Sequence, residues 1–476
     1  MQHQREREAH VFIFPLPLQG PVNCMLKLAE ILSINQIKVT FLNTDYIHQR
    51  LITHTDASIR FRNYPDFCFR TVPDGLPEDN PRTGDQIGNL LESMDASAVP
   101  IFREMLLTAE TPVTCLIADG IFTFATDVAA EIGAPLLYFD TVSPCGFRTY
   151  LLLPKLIETG EVPFKDDNLD EMIKYAPGME GIIRRRDLPS FYRTNDLNDR
   201  IIQLVLREDE HIPLAQGLIF NTFHDLEAPI LAQLRTVCPN IYALGPLHTH
   251  LKGRLASREA CPANSNSIWE EDRSCISWLD KQPSKSVVYV SIGSLAVMTK
   301  DQMCEIWHGL VNSGVRFLWV RRPGSVTGYS DETGIDQELT RGTEERGCIV
   351  RWAPQEDVLA HPAVGGFLTH SGWNSTLESM VEGKPMICWP YFVDQQVNSR
   401  YVEAVWKVGL DMKDSCDRVI VEKMVREVME SRKDEFLKVA EEVAESARAA
   451  VSPGGSSFAD MDRLIEEIKT MKIAIK

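Results

Sequence analysis

Short apolar runs and longer amphipathic ones alternate along this chain, and the alternation sets its architecture. His10–Pro15, Lys38–Asn43, Thr114–Asp119, Pro135–Phe139 and Gly217–Asn221 are brief, nearly continuous hydrophobic segments. Such segments predict strands of a parallel sheet buried on both faces. Between the first two, Val22, Met25, Leu26, Ala29 and Leu32 recur at helical spacing and predict a helix with one face on a core. A polar, irregular stretch from about His248 to Asp272 interrupts the rhythm. It restarts with Ser286–Ile292, Phe317–Arg321, Gly347–Arg351, Val364–Thr369 and Met386–Cys388. The pattern therefore predicts an α/β chain with two doubly wound halves.

After the last predicted strand, Val421–Ala450 reads as helical and Ser452–Ser457 breaks it. Phe458–Lys472 resumes a helix with Met461, Leu464, Ile465 and Ile468 on one side. The apolar run after the charged start MQHQREREAH is only a few residues long and is broken by Pro15 and Pro17. Neither a signal peptide nor a membrane span is expected, and the expected location is the cytoplasm. The 49 basic against 67 acidic residues leave a net charge of −18, which argues against a nucleic-acid or anionic-membrane surface. The one short basic run, Arg184-Arg185-Arg186, reads as a solvated loop cluster. Eleven cysteines without ligand spacing predict reduced thiols, with no disulfide and no metal site. No GxGxxG turn follows a candidate first strand, which removes a dehydrogenase reading, and no GxSxG, HExxH or P-loop pattern is present.

Chemistry concentrates in Trp352–Gln395. Trp352 offers an aromatic face for a base, and Glu378, one turn inside a helix expected to start near Asn374, offers a bidentate acceptor for a ribose diol. The start of that helix supplies amides and a positive dipole for a pyrophosphate. Gly372 permits close approach there, and Asn374 and Ser375 are expected caps. His370 stands ahead of it as a phosphate donor, and Asp394-Gln395 follows the next strand and loop, where sugar hydroxyls would find partners. Taken singly, Trp352 and Trp373 read as core or surface aromatics rather than ligand platforms, and Glu378 as a solvated helix charge. Their order and spacing carry the signal.

That segment closely resembles the signature of plant family-1 UDP-sugar-dependent glycosyltransferases. The resemblance extends to His10–Leu32, Ile117-Ala118-Asp119-Gly120, Tyr289–Ser294 and Pro453-Gly454-Gly455-Ser456-Ser457. It implies the GT-B architecture, two Rossmann-like domains facing a cleft. The N-terminal acceptor domain would span 1–250, a linker 251–272, the UDP-sugar domain 273–455, and a helix over 456–476 would cross back to the first domain. By the same resemblance Trp352, Ala353 and Gln355 hold uridine, and His370, Asn374 and Ser375 hold the phosphates. Glu378 holds the ribose, and Thr141, Trp373, Asp394 and Gln395 touch the sugar. A terminal Gln implies glucose, so the expected donor is UDP-glucose as a co-substrate, with no permanently bound cofactor. Ser294 is expected to share the phosphate charge, although Ser294 and Thr141 read equally as helix caps. The expected partner is a small-molecule acceptor, and the expected state is a monomer. Within the family the chain is most similar to the branch of iridoid and monoterpenoid glucosyltransferases, notably in Phe14–Gly20 and Phe41–Thr44.

One departure matters. After the Gln19-Gly20 pair the family carries a histidine that accepts the acceptor's proton, steadied by an aspartate matching Asp119. Here the position is Pro21. Proline suits the first turn of a helix, where its missing N–H has no partner, but it removes the base. Three explanations stand. A carboxylic acid acceptor, with a pKa of about 4, is already ionised and needs no base. Asp119, or Asp140 where the family more often has Trp, serves as base if burial raises its pKa. Otherwise the chain binds UDP-sugar with lost or altered transfer. His370 is committed to the donor, His10 is expected before the first strand at the wrong end for a cleft, and His224, His248 and His250 are expected on loops. Ser143–Leu153 and Pro177–Arg193 are expected to line the acceptor pocket.

Overall fold

A computed structural model describes residues 9–80, 82–257, 266–327, 343 and 346–471. The strands are β1 (His10–Phe14), β2 (Lys38–Thr44), β3 (Phe67–Val72), β4 (Cys115–Asp119), β5 (Leu136–Asp140), β6 (Gly217–Phe220) and β7 (Ile241–Ala243) in the first half. The second half holds β8 (Val287–Ser291), β9 (Met298–Thr299), β10 (Arg316–Val320), β11 (Val326–Thr327), β12 (Gly347–Val350), β13 (Val364–Thr369), β14 (Met386–Cys388) and β15 (Gly409–Asp411). Seven form one sheet in the order β3-β2-β1-β4-β5-β6-β7, and six form another in the order β12-β10-β8-β13-β14-β15; β9 and β11 make a small pair. All the pairings are parallel. Each order reverses once, at β1/β4 and at β8/β13, and such switch points open the crevice in which doubly wound sheets bind ligands.

Side chains alternate across the first sheet. Cys115, Ile117, Leu137 and Phe139 join the core beneath the Gln19–Ile34 helix, whereas Leu116, Ala118, Leu136 and Tyr138 join the core on the opposite face. The predicted stripe Val22, Met25, Leu26, Ala29 and Leu32 is wholly buried. Met461, Leu464, Ile465 and Ile468 lie in that same core, so the Ser456–Thr470 helix returns to the first half, where Asp460 accepts from the Ala243 amide.

Several expectations are corrected. Val421–Ala450 is not one helix: Arg418–Arg426 passes into a π turn at Glu427–Ser431, and a new helix runs Lys433–Ala450 after the non-helical Arg432. The expected linker begins inside a helix, Leu247–Ala256, whose Leu247, Leu251 and Leu255 fill the first core. His248 and His250 sit on this helix, and His224 opens the His224–Leu234 helix, so none of the three is on a loop. His10 belongs to β1, buried against the Thr111 carbonyl and the Thr40 hydroxyl. Parts of the charged N-terminus, of the expected linker and of the C-terminal end lie outside the described residues. No described helix is long and apolar enough to cross a membrane.

Arg184-Arg185-Arg186 is paired rather than simply solvated. Arg184 binds Asp187, Arg185 binds Asp166 and Glu171, and Arg186 binds Asp170 and Asp414. Asp187, fully buried, also receives Lys413 from the second half at 2.8 Å. The run therefore helps fasten the two halves.

Candidate active site

The crevice between the halves encloses a cavity of about 510 Å³. Every donor-side position named above, from Thr141 to Gln395, lines it, and so does Pro21. Asp119 and Asp140 do not.

Loops at the carboxyl ends of β8, β12, β13 and β14 carry the second half's share. Trp352 directly follows the Val350–Arg351 strand end; its indole N–H donates to the Ser267 hydroxyl at 2.8 Å, and its ring lies 5.8 Å from that of Trp269. Gln355 donates to Ser375 Oγ at 2.8 Å and to Glu378 Oε2 at 2.7 Å, while its own Oε1 accepts from the Tyr289 hydroxyl. One side chain thus fixes both the ribose candidate and the helix start.

That helix runs Trp373–Val381, with Gly372 as its N-cap and no side-chain cap. Asn374 and Ser375 are therefore inside the first turn and are not caps. The left-handed Ser371 (φ 64°) and the extended Gly372 turn the chain one residue earlier than the sequence suggests. Without a capping side chain, the amides of Trp373, Asn374 and Ser375 have no partner within the helix and form an anion site together with its dipole. The Asn374 side chain is occupied otherwise: Nδ2 donates to the Gly20 carbonyl at 2.9 Å, and Oδ1 accepts from Asn221. Trp373, 3 % exposed, donates its indole N–H to the Asn221 carbonyl. Both side chains therefore join the halves, and the backbone is what they leave for a ligand.

His370 is buried and burial pushes it down to about 4, so its imidazole is neutral at pH 7 and contributes a hydrogen bond rather than a charge. Its Nδ1 has no hydrogen-bond partner among the described residues. The ring is wedged between two glycines: a Cβ added at Gly293 (φ 76°) would stand 2.4 Å from Nε2, and one at Gly372 would stand 2.5 Å away. Ser294 lies on the turn after Gly293 and is not a helix cap; Thr141 precedes the true cap, Ser143. Asp394 Oδ2 accepts from the Ser143 amide and Asn398, and burial raises its pKa to about 6. Gln395 Oε1 accepts the Tyr391 and Phe392 amides, leaving its Nε2 as donor.

In the first half, Pro21 is the third residue of the Gln19–Ile34 helix. Asp119 ends β4 on the same sheet face, 5 % exposed. Its Oδ2 accepts from the Leu16 amide at 3.4 Å and from the Thr141 hydroxyl at 3.3 Å, and Oδ1 accepts from the Ile121 amide. Burial raises it to about 7, against the pull of those three bonds. Asp140 has the opposite parity and projects to the other face. Burial, Glu208 and Asp119 push it well above the usual carboxylate range. Ser143–Leu153 and Pro177–Arg193 do not line the cavity; its apolar lining includes Leu16, Leu18, Ile87, Val142 and Phe392.

These features match known proteins along the whole chain. A curated 7-deoxyloganetic acid glucosyltransferase of Catharanthus roseus is 52 % identical, with 98 % of each chain aligned. The chain belongs to the UDP-glycosyltransferase family. Residues 263–441 match the family model for UDP-glucoronosyl and UDP-glucosyl transferases. A 7-deoxyloganetin glucosyltransferase of Gardenia jasminoides is 40 % identical over 96 % of this chain and 97 % of its own. Among solved structures, Os79 of O. sativa in complex with UDP superposes with a TM-score of 0.81 at 27 % identity, covering 96 % of this chain and 100 % of that one. This glycosyltransferase therefore has the GT-B fold expected from its sequence and uses a UDP-sugar as co-substrate. The enzyme names of its relatives do not favour a binding protein without transfer.

Sequence reading missed Lys27, Lys252 and Glu356 and set His248 aside as a loop histidine, yet all four line the same cavity. They come from three separate helices, and no spacing rule joins them; only the charge of Lys27 within a buried helix face marked it. Burial, Lys27 and Lys252 depress His248 to about 3, whereas the unfolded chain takes up a proton near 6.5. The stability this group contributes is complete above about pH 6.5 and is lost as pH falls toward 3. Relative to His248→Gln, the native protein should lose about 1.4 kcal/mol of unfolding free energy per pH unit in that window, measured by denaturant titration.

Proposed function

We propose that this enzyme transfers glucose from UDP-glucose to a hydroxyl of a small lipophilic terpenoid, of the kind for which its Catharanthus and Gardenia relatives are named, with inversion at the anomeric carbon. Residues 1–250 act as the acceptor domain and 273–455 as the donor domain. Uracil stacks on Trp352, the ribose diol binds Glu378, and the pyrophosphate meets the amides of Trp373–Ser375 with His370 and Ser294. Asp394 and Gln395 hold the glucose. The observation that carries the reading is that Thr141 lines the donor cavity and its hydroxyl donates to Asp119, on the sheet face where Pro21 leaves no histidine.

Asp119 takes the missing base's place through Thr141. As the acceptor oxygen attacks C1, its proton passes to Thr141 Oγ, and the Thr141 proton passes to Asp119 Oδ2. The C1–O bond to UDP breaks, and the charge on the departing diphosphate falls on the helix amides. A carboxylate raised to about 7 is a far better base near neutrality than an ordinary one. The strongly acidic surface, net −18, suits a cytoplasmic monomer acting on small molecules rather than a nucleic-acid binder.

The test is incubation with UDP-glucose and matched terpenoid and phenolic acceptors, one of each pair bearing a hydroxyl and the other only a carboxylate, following UDP release and product mass. Glucosides of the hydroxyl acceptors are expected. Turnover confined to the carboxylates would instead favour self-ionised acceptors and glucose esters.

A further inference from the structure

Three charged side chains meet across the crevice beside the ribose candidate. Lys27, on the Gln19–Ile34 helix, places Nζ 2.9 Å from Glu356 Oε1. Lys252, on the Leu247–Ala256 helix, places Nζ 2.8 Å from Oε2 of the same carboxylate. Both lysines belong to the first half; Glu356 belongs to the Gln355–Ala360 helix of the second, next in sequence to Gln355. Lys27 is further fixed by Asn23 Oδ1 at 2.9 Å. Both carboxylate oxygens are thus held by cations from two helices, so Glu356 is fastened in position as well as neutralised.

We infer that Lys27, Glu356 and Lys252 form a charge latch across the crevice that positions Gln355 and Glu378 for the nucleotide, coupling donor binding to the approach of the two halves. The inference rests on the reading of Glu378 as ribose ligand. Glu356 and the two lysines are positioning residues that act through Gln355, whose amide bridges Ser375 and Glu378, and through the field they place on Glu378.

That field has a definite sign. The groups facing Glu378 are Gln355 and Glu356 from one helix, Lys27 from a second, His248 and Lys252 from a third, and Tyr289 from β8. Burial first, and the Glu356 charge second, push Glu378 above the usual carboxylate range; Lys27, Gln355 and Lys252 pull it back. Burial alone would raise Glu356 as well, but the Lys27 and Lys252 charges outweigh it and hold Glu356 below that range. An ionised Glu378 accepts both hydroxyls of a ribose, so nucleotide affinity falls as pH drops and Glu378 takes up its proton. Removing the Glu356 charge moves that fall to lower pH. Removing either lysine charge moves it to higher pH.

The experiment is calorimetric titration of the full chain with UDP between about pH 5.5 and 8.5, bracketing the carboxylate and histidine range. The proteins compared are the native chain, Glu356→Gln, Lys27→Met, Lys252→Met and Glu378→Gln. The native phosphate titration of UDP is common to all, so only differences between proteins are read. At the alkaline end each latch variant should bind UDP roughly three- to tenfold more weakly. The acid limb should move in opposite directions for Glu356→Gln and for the two lysine variants, a pattern that a general loss of packing does not produce. Lys252 is half-exposed, so its variant keeps the test open if Lys27→Met does not fold. Limbs that stay in place, or that all move the same way, overturn the latch. Unchanged UDP affinity in Glu378→Gln overturns the ribose assignment and the latch with it, whereas weakened binding there beside unmoved limbs overturns the latch alone.

Discussion

Asp119→Asn should lower kcat for a hydroxyl acceptor by about 10²–10⁴-fold, the usual cost of losing a general base, while the KM for UDP-glucose stays unchanged. Asparagine keeps one carbonyl oxygen, enough to accept from either the Leu16 or the Ile121 amide but not both, and it cannot take the proton arriving through Thr141. Thr141→Val, which leaves Asp119 in place and removes the intervening hydroxyl, should lose about 10–100-fold. Steady-state rates with thermal melts alongside distinguish the two effects: a loss of rate at native melting temperature belongs to the chemistry. If the acceptor were a self-ionised carboxylate, neither substitution would matter to the rate, because no proton would need a destination. Pro21→His tests the same point from the other side. The new imidazole would stand on the face that Asp119 shares and should raise hydroxyl turnover.

A second large effect is expected at two glycines. Gly293→Ala places a methyl 2.4 Å from His370 Nε2 and requires a left-handed backbone that alanine resists; Gly372→Ala places one 2.5 Å from the same atom. Neither clash can be absorbed by a flexible side chain end, since the ring is buried between the two turns. It must swing away from the start of the Trp373–Val381 helix, taking its N–H from the phosphate site. Strain of about 1–2 kcal/mol and the loss of a hydrogen bond to charge predict UDP binding weaker by about 10–100-fold. Calorimetry with UDP measures it. Gly324→Ala, at a glycine of similar φ with no described atom within 4 Å of the added methyl, is the matched control for backbone strain alone.

What could be read from the sequence divides along physical lines. The inner strands of both sheets were legible because burial on both faces makes them continuous apolar runs. Phe67–Val72 was not, because it is the half-exposed edge of its sheet and mixes Arg70 and Thr71 with phenylalanines; Ile241–Ala243 and Gly409–Asp411 are too short to show a period. The donor site was legible because most of it lies in one segment, Trp352–Gln395, and every position named there reaches the cavity. The roles of individual side chains were less so. Asn374 and Trp373 bond to the first half, and His370 is neutral, because partners and burial come from segments distant in sequence. The same holds for the Lys27–Glu356–Lys252 cluster. Strand parity alone, by contrast, separates Asp119 from Asp140, and the register puts only the former on the sheet face covered by the Gln19–Ile34 helix.

The most direct test of the account is the pH dependence of single-turnover transfer from UDP-glucose to a hydroxyl acceptor. Asp119 must be ionised to receive the proton, so the rate should rise through an acid limb near pH 7 and level off above it. In Thr141→Val the rate should be low throughout. A native rate that is flat across that limb, with Asp119→Asn as fast as the native enzyme, would contradict the assignment of Asp119 as the base.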